Sequence, residues 1–233
     1  MAVRLWRDRP IAFMDRLKEI DMFFQGSDPV HQTMRRVAER LEQARIAYAV
    51  MGGMAVNAHG HRRTTGDVDF LLTPEGFADF MRRFVPADFE RLPRRPRRFV
   101  DKANGVTFDV LLAGAYPGSG RPGPVAFPDP TTAGQVIEAV RVIDLPTLIQ
   151  LKLAARRHQD FADVVNLIRT HNLDESFQTR LHQSVHRDFI ECLAEKRRED
   201  EYEERQDRQL EEMMRQEDAG TRPPDREEPR SGE

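Results

Sequence analysis

The stretch from residue 47 to residue 72 constrains the fold of this chain more than any other. Its apolar start, residues 47–51, is typical of a short buried strand that ends at Gly52-Gly53. Residues 54–58 then favour a short helix. A strand, a glycine turn and a helix N-terminus together form a phosphate site, because free backbone N–H groups there carry partial positive charge.

The sequence Asp67-Val68-Asp69 lies in the same stretch. In a strand over residues 67–72, side chains alternate between the two faces, so Asp67 and Asp69 share one face and Val68 points to the other. Two carboxylates side by side repel each other, and a divalent cation removes that repulsion. Carboxylate oxygens are ligands that Mg²⁺ prefers. A phosphate site next to a hard-metal site indicates nucleotide chemistry.

The pattern G-G-x-A, then H-G, then R-x-T-x-D-V-D resembles the first motif of the nucleotidyltransferase fold. The resemblance is greatest to the abortive-infection and type IV toxin–antitoxin nucleotidyltransferases and related uncharacterised bacterial proteins. The matching residues are Gly52, Gly53, Ala55, His59, Gly60, Arg63, Thr65, Asp67 and Asp69. Many members of the superfamily have Gly-Ser where this chain has Gly52-Gly53, so a hydroxyl that could contact a phosphate is missing.

This resemblance implies an α+β (α/β) fold, with a mixed, polymerase-beta-like sheet flanked by helices and followed by a C-terminal helical region. The domain organisation predicted for the chain has four parts. N-terminal helices occupy residues 1–46 and pack on a core sheet in residues 47–143. A helical part follows in residues 144–195, and a charged helical extension with a disordered tail takes up residues 196–233.

Apolar spacing and capping residues predict the remaining elements. Helices are expected over residues 11–25, 30–44, 74–84, 145–159 and 179–193, with Thr73 and Asp144 as N-caps, and the fourth of these is expected to continue through residues 160–170. Strands are expected over residues 105–114 and 136–143.

The strand predicted over residues 105–114 contains a single charge, Asp109. A lone carboxylate in an apolar strand is costly to bury unless something pairs with it. Asp109 could therefore lie at the solvent end of the strand, pair with an arginine or bind a metal. The family places a third carboxylate on a neighbouring strand, so the resemblance implies that Asp109 joins Asp67 and Asp69 in catalysis and in holding Mg²⁺, or alternatively Mn²⁺.

A second pattern, D-L-P-x-L-I-x-x-K-x-x-A-x-R followed by D-x-x-D, resembles a later motif of the same family. Lys152 and Arg157 match its basic positions, and Asp160 and Asp163 match its carboxylate pair. The resemblance implies that Lys152 reaches the nucleotide phosphates. Alternatively, Lys152 is a solvated helix residue, Asp160 an N-cap and Asp163 a salt-bridge partner. The predicted nucleotide-binding residues are Gly52, Gly53, Arg63, Thr65, Lys152 and Asp160.

Two further segments have open roles. Residues 89–100 contain five arginines interrupted by prolines, which predicts a strand, a basic turn and a second strand or loop. This segment is either a solvated loop or a contact for the phosphate backbone of RNA. Residues 115–134 are rich in glycine and proline and form either a lid, a partner surface or a flexible insertion.

Composition limits the setting of the chain. Its 233 residues are 39% hydrophobic and 32% charged, and the longest apolar run falls far short of the roughly 18 residues of a membrane span, so no membrane partner is expected. One cysteine, Cys192, excludes an internal disulfide and fits the cytoplasm. From Lys196 onward the net charge is −5, whereas residues 1–195 carry +2. The last residues, from Glu217, are expected to be disordered.

These features predict a Mg²⁺-dependent nucleotidyltransferase that moves a nucleoside monophosphate from a nucleoside triphosphate, such as ATP, to an acceptor hydroxyl. The family implies RNA (including tRNA), protein or a small molecule as acceptor, and a toxin-like or defence role with a cognate antitoxin-like protein. The alternative is a non-catalytic nucleotide- or partner-binding protein that keeps the fold. No zinc site is predicted, because no third zinc-type ligand lies close in sequence to His59 and His61.

Overall fold

The computed structural model describes residues 12–85 and 87–220. The chain divides into two compact units, with the boundary between Leu193 and Ala194. A helix was expected to start at Ile11, and disorder was expected beyond residue 220. Both parts of the chain lie outside the described residues.

Helices come first and last in the described chain, and most of the strands lie between them. In the described ranges the helices are α1 (Phe13–Phe24), α2 (Pro29–Gln43), α3 (Gly52–Ala58), α4 (Pro74–Phe84), α5 (Leu145–Ala155), α6 (His158–His171) and α7 (His186–Gly220). The strands are β1 (Tyr48–Met51), β2 (Asp67–Leu72), β3 (Phe89–Arg91), β4 (Arg98–Asp101), β5 (Thr107–Leu112), β6 (Gly134–Ile137) and β7 (Val140–Ile143). Short 3-10 helices, Glu175–Arg180 and Gln183–Val185, precede α7.

The strands form a mixed sheet in the order β3-β4-β5-β2-β1-β7-β6. Strand β2 runs parallel to β5, and β1 runs parallel to β7. The other neighbouring pairs are antiparallel. The predicted fold class is confirmed in this respect: the chain is an α+β protein with a mixed sheet flanked by helices and a C-terminal helical region.

Capping residues begin several helices where the sequence predicts them. The Thr73 hydroxyl accepts a hydrogen bond from Gly76 N at 3.0 Å, and the Asp144 carboxylate accepts one from Thr147 N at 2.9 Å. Proline follows in the first turn of both helices, where its missing N–H has no intrahelical partner to lose. These caps fix the directions in which α4 and α5 leave the sheet.

Phenylalanines fill the core between α4 and the sheet. Phe80 of α4 stacks on Phe89 at 5.6 Å and meets Phe99 and Phe108 edge-on at 5.3 and 6.1 Å. All four rings are fully buried. Phe108 and Val110 lie on one face of β5, where they pair with Val68 and Phe70 of β2. All four side chains are buried, so this face of the sheet is apolar.

Helix α2 is tied to the turn between β4 and β5. The buried Asp101 carboxylate accepts hydrogen bonds from Thr33 Oγ1 at 2.9 Å and from Arg36. Asn104, in the turn, donates to the carbonyl of Pro29 at 3.0 Å and accepts from Val106 N at 3.1 Å. The turn before β5 is therefore held by a helix that lies about 70 residues earlier in the sequence.

Three predicted boundaries are wrong. Residues 136–143 form parts of two strands, because Glu138 and Ala139 adopt positive φ (47° and 65°) and reverse the chain. The helix expected to continue through residues 160–170 breaks at Arg156, whose φ of 58° ends α5. Residues 179–193 combine the 3-10 segments with the start of α7 rather than forming one helix.

The second unit is helical wherever the structure describes it. The helical extension expected from residue 196 is present as part of α7, and residues 217–220, expected to be disordered, also belong to this helix. Ion pairs along its exposed surface include Lys196–Asp200 at 2.5 Å and Glu211–Arg215 at 3.6 Å. None of the helices in the described ranges combines the length and apolar character that crossing a membrane requires.

The phenylalanine cluster gives a test of the core. Replacing Phe108 with Ala should lower the free energy of unfolding by about 3–5 kcal/mol, because the packed neighbours cannot close the cavity. Phe13→Ala is the matched control, since the Phe13 side chain is 72% exposed and should cost less than about 0.5 kcal/mol. Urea unfolding followed by circular dichroism measures both. Equal losses would contradict this account of the core.

Candidate functional site

Two of the predicted catalytic carboxylates lie side by side. In the parallel ladder of β2 and β5, Asp69 pairs with Asp109 and Asp67 pairs with Thr107. Neighbouring strands are about 4.8 Å apart, so the paired carboxylates project together from one face of the sheet. The opposite face carries the phenylalanine core. The structure thus brings Asp69 and Asp109 together on neighbouring strands, whereas Asp67 lies two residues earlier on β2, opposite Thr107.

An arginine that the sequence analysis did not assign contacts two of these carboxylates. Arg98 Nη2 donates to Asp67 Oδ2 at 2.8 Å, and Arg98 Nη1 lies 3.5 Å from Asp109 Oδ2. Arg98 Nη2 also lies 3.3 Å from the hydroxyl of Thr107. The arginine reaches them because Arg98 pairs with Asp109 across β4 and β5. Of the alternatives for Asp109, pairing with an arginine is thus present.

Asp69 has an unusual acidity. The pKa of its carboxyl is raised to about 7, first by burial and then by the negative charges of Asp67 and Asp109. Arg157 and Lys152 act in the opposite direction and lower the pKa. The charged form of the Asp69 carboxylate is therefore disfavoured, and a positive charge bound beside it would stabilise that form.

A cleft of about 410 Å³ opens over this carboxylate pair. Its polar lining consists of Asp69, Asp109, Arg97, Tyr116, Ser119, Lys152, Arg157 and Asp160, and Gly52 lies at its edge. Of the predicted site residues, Gly52, Asp69, Asp109, Lys152 and Asp160 therefore share one cleft. Gly53, Arg63, Thr65 and Asp67 are not among the residues that line it.

The two glycines are required by what surrounds them. Gly52 has φ of +62°, and a Cβ there would lie 1.9 Å from Asp69 Oδ2. A Cβ on Gly53 would lie 2.9 Å from Thr65 Cβ and 3.1 Å from Arg63 Nη2. The glycines therefore let the Asp69 carboxylate, Thr65 and Arg63 approach the backbone closely. In this structure the predicted glycine turn supports the carboxylate site directly.

Lys152 lies in a buried network of charges. Its Nζ donates to Asp163 Oδ2 at 2.6 Å and to Asp160 Oδ1 at 3.1 Å. Arg63 Nη2 also donates to Asp163 Oδ2 at 3.0 Å, which confirms the alternative that Asp163 is a salt-bridge partner. These positive charges, with Lys152 first among them, hold the pKa of Asp163 below its usual value against the effect of burial. The side chain of Lys152 is only 7% exposed, so the alternative of a solvated helix residue is wrong.

Asp160 is not a helix N-cap, because α6 begins at His158 and Arg157 occupies the cap position. Its carboxylate instead accepts hydrogen bonds from Arg157 Nε at 2.6 Å and from Lys152. Asp160 thereby raises the pKa of the Arg157 guanidinium and holds it at the cleft. Arg157, whose side chain is 74% exposed, is a cation of the cleft that the sequence analysis noted only as a motif match.

The glycine- and proline-rich segment forms one wall of the cleft through residues 116–120. Gly118 has φ of +66°, and a Cβ there would lie 2.8 Å from the Ala155 carbonyl oxygen at the end of α5. Backbone hydrogen bonds at 2.8 Å join Gly114 to Phe127 and Phe127 to Ala115. This part of the segment is thus packed against α5 as a wall rather than hanging free as an insertion.

His59 is structural. It is buried, and its Nε2 lies 2.8 Å from the carbonyl oxygen of Ile143, which joins α3 to the end of β7. Burial lowers the pKa of this imidazole, so the neutral form is favoured. His171 Nε2 in turn lies 2.8 Å from the carbonyl oxygen of His59. These contacts account for the histidine of the motif without a catalytic role.

The donor set can be tested against a metal ion. Within residues 12–85 and 87–220, no group of three His, Cys, Asp or Glu side chains is placed to hold a metal ion by itself. Mg²⁺, however, is commonly held by one or two carboxylates, with waters and substrate phosphates as the other ligands. Asp69 and Asp109, side by side on the floor of a cleft, are oxygen donors of that kind. The residues present therefore fit a hard divalent cation that shares its ligands with a substrate.

Comparison with known proteins gives structural neighbours only. No family model matches the sequence, and no curated protein matches it. The structure is similar to an antigenic nucleotidyltransferase-like protein from Paracoccidioides brasiliensis, with a TM-score of 0.42 and 18% identity over 70% of this chain and 91% of that one. It is also similar to a putative nucleotidyltransferase from H. pylori, with a TM-score of 0.40 and 18% identity over 64% of this chain and 72% of that one.

A third neighbour is the lincosamide antibiotic adenylyltransferase LnuA in its lincomycin-bound structure. Its TM-score is 0.41 and its identity 14%, over 58% of this chain and 94% of LnuA. The structural neighbours are thus nucleotidyltransferases and nucleotidyltransferase-like proteins.

Gly52 provides a test of the close approach to Asp69. Gly52→Ala should lower the free energy of unfolding by about 1–2 kcal/mol for the left-handed backbone and by a further ~1–3 kcal/mol for the clash. Gly114→Ala is the matched control, because Gly114 has φ of +81° and open space at its Cβ position. In an Asp69→Ala background, which removes the clashing Oδ2 and Cγ atoms, the cost of Gly52→Ala should fall towards that of Gly114→Ala. An unchanged cost would contradict the clash.

The acidity of Asp69 predicts a pH-dependent stability. Because its folded pKa of about 7 lies above the unfolded value, the folded state binds the extra proton, and stability is lost as pH rises from about 4 to 7. With EDTA present, Asp69→Asn should therefore raise Tm by a few degrees at pH 8, and this gain should shrink towards pH 5. Differential scanning fluorimetry measures it. A gain that does not vary with pH would be evidence against the raised pKa.

Proposed function

We propose that this protein is a Mg²⁺-dependent nucleotidyltransferase that transfers a nucleoside monophosphate from a nucleoside triphosphate to an acceptor hydroxyl. The observation that carries the proposal is the pairing of Asp69 with Asp109 on the floor of a cleft whose wall contains Lys152 and Arg157. The carboxylates suit a metal ion, and the cations beside them suit phosphates, so the cleft suits a substrate that carries both.

Each side chain has a role in this scheme. Asp69 and Asp109, with Asp67 behind them, would hold the metal, Mg²⁺ or Mn²⁺. Arg157 and Lys152 would neutralise the triphosphate, and Asp160 keeps both cations at the cleft through its carboxylate. A divalent cation bound there supplies Lewis-acid stabilisation of the charge on the phosphoryl oxygens.

The reaction forms a bond between the acceptor oxygen and the α-phosphorus, while the bond to the pyrophosphate oxygen breaks. Asp109 lies at the cleft and would accept the proton of the attacking hydroxyl. Gly52 and Gly53 serve this chemistry by letting Asp69, Thr65 and Arg63 pack against the backbone. Arg63 acts at a distance, because it binds Asp163, which in turn binds Lys152.

RNA, including tRNA, is the acceptor that the basic segment favours. The segment forms a hairpin of β3 and β4, in which Arg91, Arg94 and Arg95 are exposed and Arg97 lines the cleft. These exposed arginines lie in one hairpin with Arg97, which lines the cleft. This arrangement suits a polyanion, such as RNA, whose end must reach the cleft. The exposed arginines give no comparable reason to expect a protein or a small molecule as the acceptor. The further proposal of a toxin-like or defence role in the cytoplasm, with an antitoxin-like partner, rests on the sequence motifs.

A non-catalytic nucleotide- or partner-binding protein is the second candidate. Its support is the pairing of Lys152 with Asp160 and Asp163, and of Arg98 with Asp67, which already neutralises charges that a substrate complex would use. The two candidates differ in one outcome, because only the enzyme transfers label to an acceptor.

The test is incubation with each α-labelled nucleoside triphosphate, Mg²⁺ and total tRNA. Wild type should label RNA, and Asp69→Asn and Asp109→Asn should lose more than about 10²-fold of the rate, because both sides of the cation site are removed in turn. Asp79→Asn is the control, since this carboxylate pairs with Arg82 on the solvent-facing side of α4 and does not line the cleft. Nucleotide binding without transfer to RNA, protein or small molecules would favour the second candidate.

The same assay tests the acceptor. Arg94→Gln combined with Arg95→Gln should lower kcat/KM for RNA about tenfold while leaving KM for the nucleotide unchanged, and added salt should reduce this difference. The matched control is Arg82→Gln combined with Arg83→Gln, which removes two exposed charges from α4. If both pairs weaken transfer equally, the hairpin is not the RNA contact.

A further inference from the structure

Arg98 occupies an exceptional position among the arginines of the hairpin. Its side chain is only 11% exposed, and its guanidinium binds Asp67 at 2.8 Å and lies 3.5 Å from Asp109. Strand pairing fixes this placement, because Arg98 is opposite Asp109, and Thr107, which Arg98 also contacts, lies two residues before Asp109 on the same face of β5. The arginine is therefore built into the floor of the site.

A guanidinium is permanently charged, so Arg98 brings one positive charge to the neighbouring strands that carry Asp67, Asp69 and Asp109. It engages the Oδ2 atoms of two of them, Asp67 and Asp109. In the part of the chain that the structure describes, no three acidic or histidine side chains are arranged for a metal ion. Two of the carboxylates that would serve such a site are instead oriented towards an arginine of the protein itself.

We propose that Arg98 is an internal counter-ion that competes with the divalent cation for Asp67 and Asp109. This inference rests on the proposed function, because it requires a cation that the same carboxylates bind. Arg98 stabilises the carboxylate cluster when no metal is bound, and a bound metal takes over that role. Like charges a few ångströms apart repel, so the guanidinium lowers the affinity of the site for a divalent ion.

The opposite effect has an equally clear physical basis. Hydrogen bonds to the outer oxygens of metal ligands can fix their orientation, and removal of such a contact commonly weakens metal binding 10–100-fold. A counter-ion and an orienting residue therefore differ in the sign of one measurable quantity. If Arg98 competes, its removal tightens metal binding; if it orients, its removal weakens metal binding.

The experiment is a titration of the full-length protein with Mn²⁺, in which the electron paramagnetic resonance signal of the free ion gives Kd. Arg98→Gln should lower Kd about tenfold, which corresponds to about 1.4 kcal/mol, and Arg98→Lys should give an intermediate value. Asp69→Asn should bind Mn²⁺ more weakly than wild type, which assigns the measured site to the cleft.

Arg36→Gln is the matched control. Arg36 also pairs with a buried carboxylate of the sheet, Asp101, but away from the cleft. This variant should lose thermal stability without any change in Kd for Mn²⁺. Arg98→Gln should lose stability in EDTA and regain it with saturating Mn²⁺, so its rise in Tm on metal binding should exceed that of wild type and of Arg36→Gln.

The outcomes separate this inference from the proposed function. A lower Kd for Arg98→Gln with a larger metal-dependent rise in Tm supports the counter-ion. An unchanged or higher Kd, in a variant that is folded by circular dichroism, overturns it while leaving the metal site in place. If folded wild type binds no Mn²⁺ in the cleft, the metal-dependent function fails, and the counter-ion fails with it.

Discussion

The parallel pairing of β2 with β5 forces like charges together, and much of the molecule compensates for that constraint. With Asp69 opposite Asp109, a slip of one residue would separate the carboxylates and push Phe108 out of the core. The apolar face therefore locks the register that the polar face needs. The phenylalanines around Phe80 stabilise an arrangement that electrostatics alone would oppose.

Positive charges reach the carboxylates from several parts of the chain. Arg98 of β4 contacts Asp67 and Asp109 without lining the cleft itself, while Lys152 of α5 and Arg157, just before α6, lie on the cleft wall. The wall cations have carboxylate partners of their own in Asp160 and Asp163. The cleft thus combines a floor that is rich in negative charge with a wall whose cations are held in place by a buried network.

The sequence allowed β2 and the shared face of its two carboxylates to be predicted, because alternation places Val68 on one face and Asp67 and Asp69 on the other. Other features of the structure have no local sequence pattern that would predict them. Glu138 and Ala139 reverse the chain without the glycine or asparagine that usually permits positive φ. The partners of Arg98 and Lys152 depend on contacts between segments that are distant in sequence or on how a helix breaks. Five arginines in one short run look alike until strand pairing singles out Arg98.

The link between α2 and the turn before β5 extends the site well beyond the cleft. Thr33 and the Pro29 carbonyl hold Asp101 and Asn104, and these residues determine where β5 begins. The alignment of Asp109 with Asp69 thus depends on contacts made by α2, a helix near the start of the chain. Changes on that helix would therefore shift Asp109 relative to Asp69, so the geometry of the carboxylate pair depends on a segment that does not line the cleft.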